Sequence, residues 1–195
     1  MNAGADGGLV ALDEHVLGTV IKLGAFLLFA SAVPLALCAA VLYRRLRALG
    51  ITAPGSAIML VGGVLASGAL SLSAMFAWSG GHLPADAPPA LARALRDLSF
   101  LSGGPAYAVT YALLIAGISV TGLLAGLLPR AVTWTGLLLA AVGMVSTPTL
   151  LASGFEYLLP VVRFGGIVWL LFVAALLPRT RPRTAHSNEP HPAAP

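Results

Sequence analysis

The residues able to do chemistry in this chain are few and scattered. Cys38 and Arg44 flank five residues, the spacing found in loops that cradle phosphate in phosphatases. Such a loop needs a turn whose backbone amides face an anion beside a helix N-terminus. Cys38-Ala-Ala-Val-Leu-Tyr-Arg44 instead continues a long apolar run whose amides are used within a helix. His15 and His82 are both expected near one membrane face, where an axial pair for a metal or haem can be imagined. No third ligand accompanies them, and no metal and no cofactor is expected. Nor is there a Gly-x-Ser-x-Gly, a His-Glu-x-x-His, a pair of carboxylates or a histidine at membrane depth, so no residue is assigned as catalytic. Arg163 is the one charge placed clearly inside an apolar run. A cation in the first turn of a helix meets the positive end of its dipole, which costs about 0.3–1 kcal/mol in exposed settings. A compensating carboxylate is therefore expected beside Arg163, with Glu156 and Asp97 as candidates; the alternative is that Arg163 binds a lipid phosphate or an anionic solute. Tyr107 and Tyr111, one turn apart, together with Ser67, Ser71, Thr110, Ser146 and Thr147, either bond between helices or line a polar cavity.

The elements that position these residues are membrane helices. The chain is 58% apolar and 9% charged, with a mean hydropathy of +0.92, against roughly 25% charged residues in an ordinary soluble domain. A soluble fold is excluded, and 195 residues hold about five spans of about 20 residues each. A net charge of +4 would suggest nucleic acid in a soluble protein, but here the basic residues sit at span ends, where anionic headgroups at the cytoplasmic face account for them and no nucleic acid is expected. Cys38 is the only cysteine, so neither an intrachain disulfide nor a cysteine cluster can form. Lys22 is the only lysine among many arginines, alanines and glycines, a bias like that of GC-rich bacterial genomes, and a bacterial plasma membrane is the expected location.

Residues 1–8 are polar and glycine-rich and are expected to be flexible, with Asp6 capping a helix that starts near Leu9. The acidic N-terminus predicts a retained first span rather than a cleaved signal. Spans are expected at residues 23–43, 56–78, 106–128, 132–152 and 160–177, inside a helical domain of residues 9–178. Residues 179–195 read as a disordered cytoplasmic tail. Pro34 in the first span and Ser146-Thr147-Pro148-Thr149 in the fourth predict kinks. Arg44, Arg45 and Arg47 close the first span, which puts that end in the cytoplasm and the N-terminus outside. With this orientation seven of the eleven basic residues lie inside, the asymmetry that sets topology. Gly63, Ser67 and Ser71 on the second span, and Gly122 and Gly126 on the third, are expected as helix-packing positions. Residues 90–101 have Leu91, Leu95 and Leu98 on one face, the pattern of a short interfacial helix, and Ser102-Gly103-Gly104-Pro105 is expected to break it before span three.

The fold class is therefore all-α, a polytopic transmembrane bundle. At Leu95-Arg96-Asp97-Leu98-Ser99-Phe100-Leu101-Ser102-Gly103-Gly104-Pro105, and again from Arg163-Phe164-Gly165-Gly166 to Leu177-Pro178-Arg179, the chain resembles a group of small multi-span actinobacterial proteins classed as a domain of unknown function. The resemblance implies a plasma-membrane protein and no particular activity. Two readings stand: a non-enzymatic accessory or self-associating subunit, forming a homo-oligomer or joining a membrane partner through its small-residue faces, and a small-solute permease or channel. A membrane-embedded enzyme is the third and is disfavoured.

Overall fold

The computed structural model describes residues 3–84, 86–147 and 158–177, with side chains from Val16 onward except at position 17. Among them the helices are α1 (Ala3–Ala48), α2 (Pro54–Gly80), α3 (Pro89–Leu101), α4 (Tyr107–Leu124), α5 (Arg130–Val145) and α6 (Leu158–Leu176), with no strand. Four stretches are long and apolar enough to cross a membrane: Gly18–Ala48, Pro54–Gly80, Pro89–Leu124 and Leu158–Leu176. The fifth apolar helix, α5, has 16 residues and is about 24 Å long at 1.5 Å per residue. The chain is thus a polytopic helix bundle of about five spans.

The first helix is longer than its sequence suggests. It begins at Ala3 rather than near Leu9, so Asp6 lies inside the helix and not at its cap. Once nucleated, a helix adds a residue at little cost. The same helix passes Pro34 as one element. The kink expected in the fourth span cannot be placed, since Pro148 and Thr149 lie outside the described residues, as does the tail from position 178. The hydroxyls that precede them bond back onto their own helix: Ser146 donates to Gly143 O at 2.6 Å and Thr147 to Met144 O at 2.7 Å.

Ser102-Gly103-Gly104-Pro105 does not break the chain's helical path. It forms a π turn, Ser102–Ala106, through which α3 runs on into α4. Pro105 has no N–H to donate, and the wider turn absorbs one residue and its ring. Gly103 is needed for a close approach rather than for a bend: a Cβ there would lie 2.4 Å from Ser73 Oγ. One turn earlier, Ser73 Oγ donates to Ser99 O at 2.8 Å and Ser99 Oγ to Ser73 O at 3.0 Å, fastening α3 to α2. Interhelical bonds of this kind are worth about 0.6 kcal/mol on average and up to about 1.7. A double-mutant cycle on Ser73→Ala and Ser99→Ala, followed by thermal unfolding in detergent, should show coupling of that size; strictly additive losses would contradict the clamp.

The bundle is organised around α2 and α4. On α1 the buried positions Ala25, Ala32, Ala39 and Leu46 recur every seven residues, with Leu42 and Leu49 between and beyond them. This is a narrow seam of the coiled-coil type, and α2 packs on it. Gly63 and Ser67 belong to that seam: a Cβ on Gly63 would meet Ala39 Cβ at 2.4 Å, and Ser67 Oγ donates across to Ala32 O at 2.7 Å. Ser71 bonds instead to Ser67 O on its own helix. The opposite side of α2 meets α4, whose Tyr111, Leu114 and Ile115 are fully buried. Trp169 of α6 donates from Nε1 to Val132 O at 2.8 Å and holds α5.

At the end of the bundle bearing Arg44, Arg45, Arg47 and Arg130, two helices finish on glycine in the left-handed region, Gly50 (φ 77°) and Gly126 (φ 62°). In each case the next residue's N–H reaches back five positions, Ile51 to Leu46 O and Leu127 to Gly122 O, which satisfies the otherwise free carbonyls of the last turn. Gly126 is therefore a helix stop, and within the chain nothing lies within 4 Å of where its Cβ would be. Gly122 does pack, with Leu128 Cδ1 2.9 Å from its virtual Cβ.

Candidate functional site

Arg45 ties α1 to the C-terminus of α6, donating to Leu177 O and, at 3.5 Å, to Ala174 O. Towards the opposite end the two helices bound a cleft of about 1370 Å³. One wall is α1, with Leu27, Leu28 and Ser31; the other is the start of α6, with Leu159, Arg163 and Phe164. Phe76 of α2, Arg96 and Phe100 of α3, Gly103 and Gly104 of the π turn and Tyr107 of α4 also line it. Leu27 and Phe164 are 59% and 66% exposed, so the rim of the cleft is continuous with the apolar outer surface of the bundle. Drug-sized ligands occupy pockets of about 300–1,000 Å³; this cleft is larger and faces sideways.

Arg163 is the charge within it. The guanidinium carbon lies 5.3 Å from the centre of the Tyr107 ring, within the range of a cation–π contact. Tyr107 in turn stacks on Tyr111, with ring centres 5.2 Å apart and planes 15° apart. One helical turn beyond Arg163, Gly166 lets α6 close onto Tyr111, whose Cε1 would be 2.3 Å from a Cβ there. The sequence Arg163-Phe164-Gly165-Gly166 thus makes local sense: the arginine covers one tyrosine and the second glycine admits the other. Tyr107 is 4% exposed, yet its hydroxyl meets no hydrogen-bond partner among the described residues.

The expected carboxylate does not accompany Arg163 among the described residues. Asp97 is exposed on α3 and forms no ion pair with it, and Glu156 lies outside the described residues. What meets the guanidinium is an aromatic face, which satisfies charge without consuming any of the five N–H donors. Arg96, one position before Asp97 on α3, lines the cleft instead.

The other candidates have local structural roles. Cys38 is a half-buried free thiol on α1 and Arg44 is exposed beyond it, both inside one continuous helix, so no anion cradle forms between them. His82 is 2.9 Å from Trp78 O through Nδ1 and rests against the Trp78 ring at 3.8 Å between centres, which closes the end of α2. Thr110 bonds to Ala106 O on its own helix at 2.7 Å. Among the described residues no three histidine, cysteine or carboxylate groups come together as metal ligands. The sequence reading missed Arg96, Ser73 and Ser99, and only the seven-residue alanine spacing on α1 could have announced the seam that leaves the cleft beside it.

Fold and cleft together define an integral membrane protein with a laterally open, arginine-bearing pocket in one half of its bundle. No family model, no curated protein and no solved structure matches the chain.

Proposed function

We propose that this is a non-enzymatic, multi-pass protein of a bacterial plasma membrane, oriented with its N-terminus outside and its C-terminus in the cytoplasm, that works by holding a ligand in the cleft between α1 and α6. The observation that supports the reading is a large apolar cleft, open at its rim, with Arg163 and the unpartnered hydroxyl of Tyr107 in its lining. Among the described lining residues the ionisable groups are Arg96, Arg163 and Tyr107, a set that can hold an anion but supplies no acid and base pair. Self-association through the small-residue faces has less support, because Gly63, Ser67 and Gly122 are already engaged within the chain. Conduction has less support too, since fully buried Tyr111, Leu114 and Ile115 fill the bundle below the cleft. The orientation draws on Arg44, Arg47 and Arg130, which share one end and suit anionic headgroups of the cytoplasmic leaflet.

A virtual Cβ on Gly24, in the α1 wall, has nothing within 4 Å, so phenylalanine there fills the cleft without straining a helix contact. Native mass measurement after mild detergent extraction should find a retained adduct on the wild type and its loss in Gly24→Phe. A wild type that carries no adduct, or a variant that keeps it, would refute the proposal.

A further inference from the structure

Taking the cleft as a ligand site, we infer that its occupant is a lipid with an anionic phosphate headgroup, bound with the phosphate between Arg163 and Arg96 and an acyl chain against the apolar walls. The charge of the site selects the headgroup. Arg163 is half-buried, makes no ion pair or hydrogen bond among the described residues, and has its guanidinium carbon 5.3 Å from the centre of the Tyr107 ring. A cation–π contact uses none of the guanidinium's N–H donors, and those donors form the planar fork that recognises phosphate with two parallel bonds. Arg96 lines the same cleft from α3, on a different element, and Tyr107 lines it as well. Arg96 is exposed and Arg163 half-buried; two cations that line one cavity with no carboxylate among its lining residues favour an anion between them. A polar loop of the same charge in water would need no such partner.

The shape selects the rest of the molecule. A free phosphate or other small anion would leave most of about 1370 Å³ empty, and most of the remaining lining is apolar, with Leu27 and Leu28 of α1, Phe76, Phe100, Leu159 and Phe164, while the hydroxyls of Ser31, Ser73 and Ser99 in it donate to backbone carbonyls. The exposed rim residues Leu27 and Phe164 make the bilayer the direction from which this space is entered. The lipid therefore slides in sideways, headgroup towards the α3 end, without leaving the membrane.

The test uses the full-length protein in mild detergent, with phosphatidylglycerol and phosphatidylcholine as matched probes and glycerol phosphate as a headgroup without chains. Charge-assisted bonds are each worth roughly a tenfold preference or more. The wild type should retain phosphatidylglycerol over phosphatidylcholine by at least that factor in native mass spectra, with glycerol phosphate not retained. Arg163→Gln and Arg96→Gln should each remove the preference while phosphatidylcholine binding persists, and Arg93→Gln, an exposed arginine of α3 outside the cleft, should leave it intact. Should Arg163→Gln fail to fold, Arg96→Gln on the facing wall reads the same quantity. Equal retention of both lipids by the wild type would overturn the headgroup inference and leave the cleft reading standing. Retention of glycerol phosphate alone would show a free anion instead of a lipid, and an equal loss in Arg93→Gln would show general surface attraction; either overturns the inference.

Discussion

Replacing Gly117 with valine is expected to destabilise the bundle by about 3 kcal/mol or more, at or beyond the upper end of the usual range for overpacking. A Cβ at this position would lie 2.6 Å from Gly55 O and 2.6 Å from Met59 N, both backbone atoms of the neighbouring α2 segment. A flexible side chain can turn away from an added methyl group, whereas a helix backbone can yield only by moving the whole helix. The contact is reciprocal, since a Cβ on Gly62 of α2 would lie 2.5 Å from Leu114 N of α4. The control sits in the same helix as Gly62. Nothing lies within 4 Å of a Cβ on Gly68, so Gly68→Ala should be neutral or stabilising by up to about 1 kcal/mol through helix propensity. Thermal unfolding of the two variants and the wild type in one detergent checks this, and similar midpoints for Gly117→Val and Gly68→Ala would contradict the α2–α4 packing.

The second large effect is expected at Arg45. The three arginines after the first span look equivalent in sequence, as a signal of topology. In the fold they are not equivalent: Arg44 and Arg47 are exposed, while Arg45 is half-buried and donates to the carbonyls of Ala174 and Leu177. Those carbonyls end α6, have no partner within the helix, and carry the negative end of its dipole. Bonds involving a charged group contribute about 1.5–3 kcal/mol. Arg45→Leu should lose an amount of that order and loosen α6 from α1, whereas Arg44→Leu and Arg47→Leu should stay within about 0.5 kcal/mol of the wild type, as ordinary surface changes do. Equal losses at all three positions would mean that the cluster acts through topology alone.

The sequence was readable where hydropathy and charge act on whole segments. The apolar runs, the arginine end and the amphipathic stretch before α4 follow from transfer free energies that add residue by residue, and each has its helix in the bundle. Pairwise fits were not readable. Gly63, Ser67 and Gly126 share small size, and only the neighbours decide that the first two meet α1 while Gly126 turns the chain with a positive φ. Ser102-Gly103-Gly104-Pro105 looks like a helix break on propensity, but Gly103 against Ser73 and the Ser73–Ser99 bonds hold it as a π turn. At the candidate site, the isolation of Arg163 in an apolar run was visible, and so was the Tyr107–Tyr111 spacing. That the arginine would lie on the tyrosine, with Arg96 facing the same cleft, depends on the packing of three helices distant in sequence.

The account turns on whether the cleft is filled from the bilayer or from water. Ser31 lies in its α1 wall, and Ser31→Cys in a Cys38→Ala background accepts a single nitroxide label. In proteoliposomes, collision with oxygen, which concentrates in the acyl region, is compared with collision with a water-soluble nickel chelate. The account predicts frequent oxygen collisions and few with nickel, the signature of a lipid-filled cleft. Frequent nickel collisions at this position would mean a water-filled vestibule, and would contradict it in favour of a solute pathway.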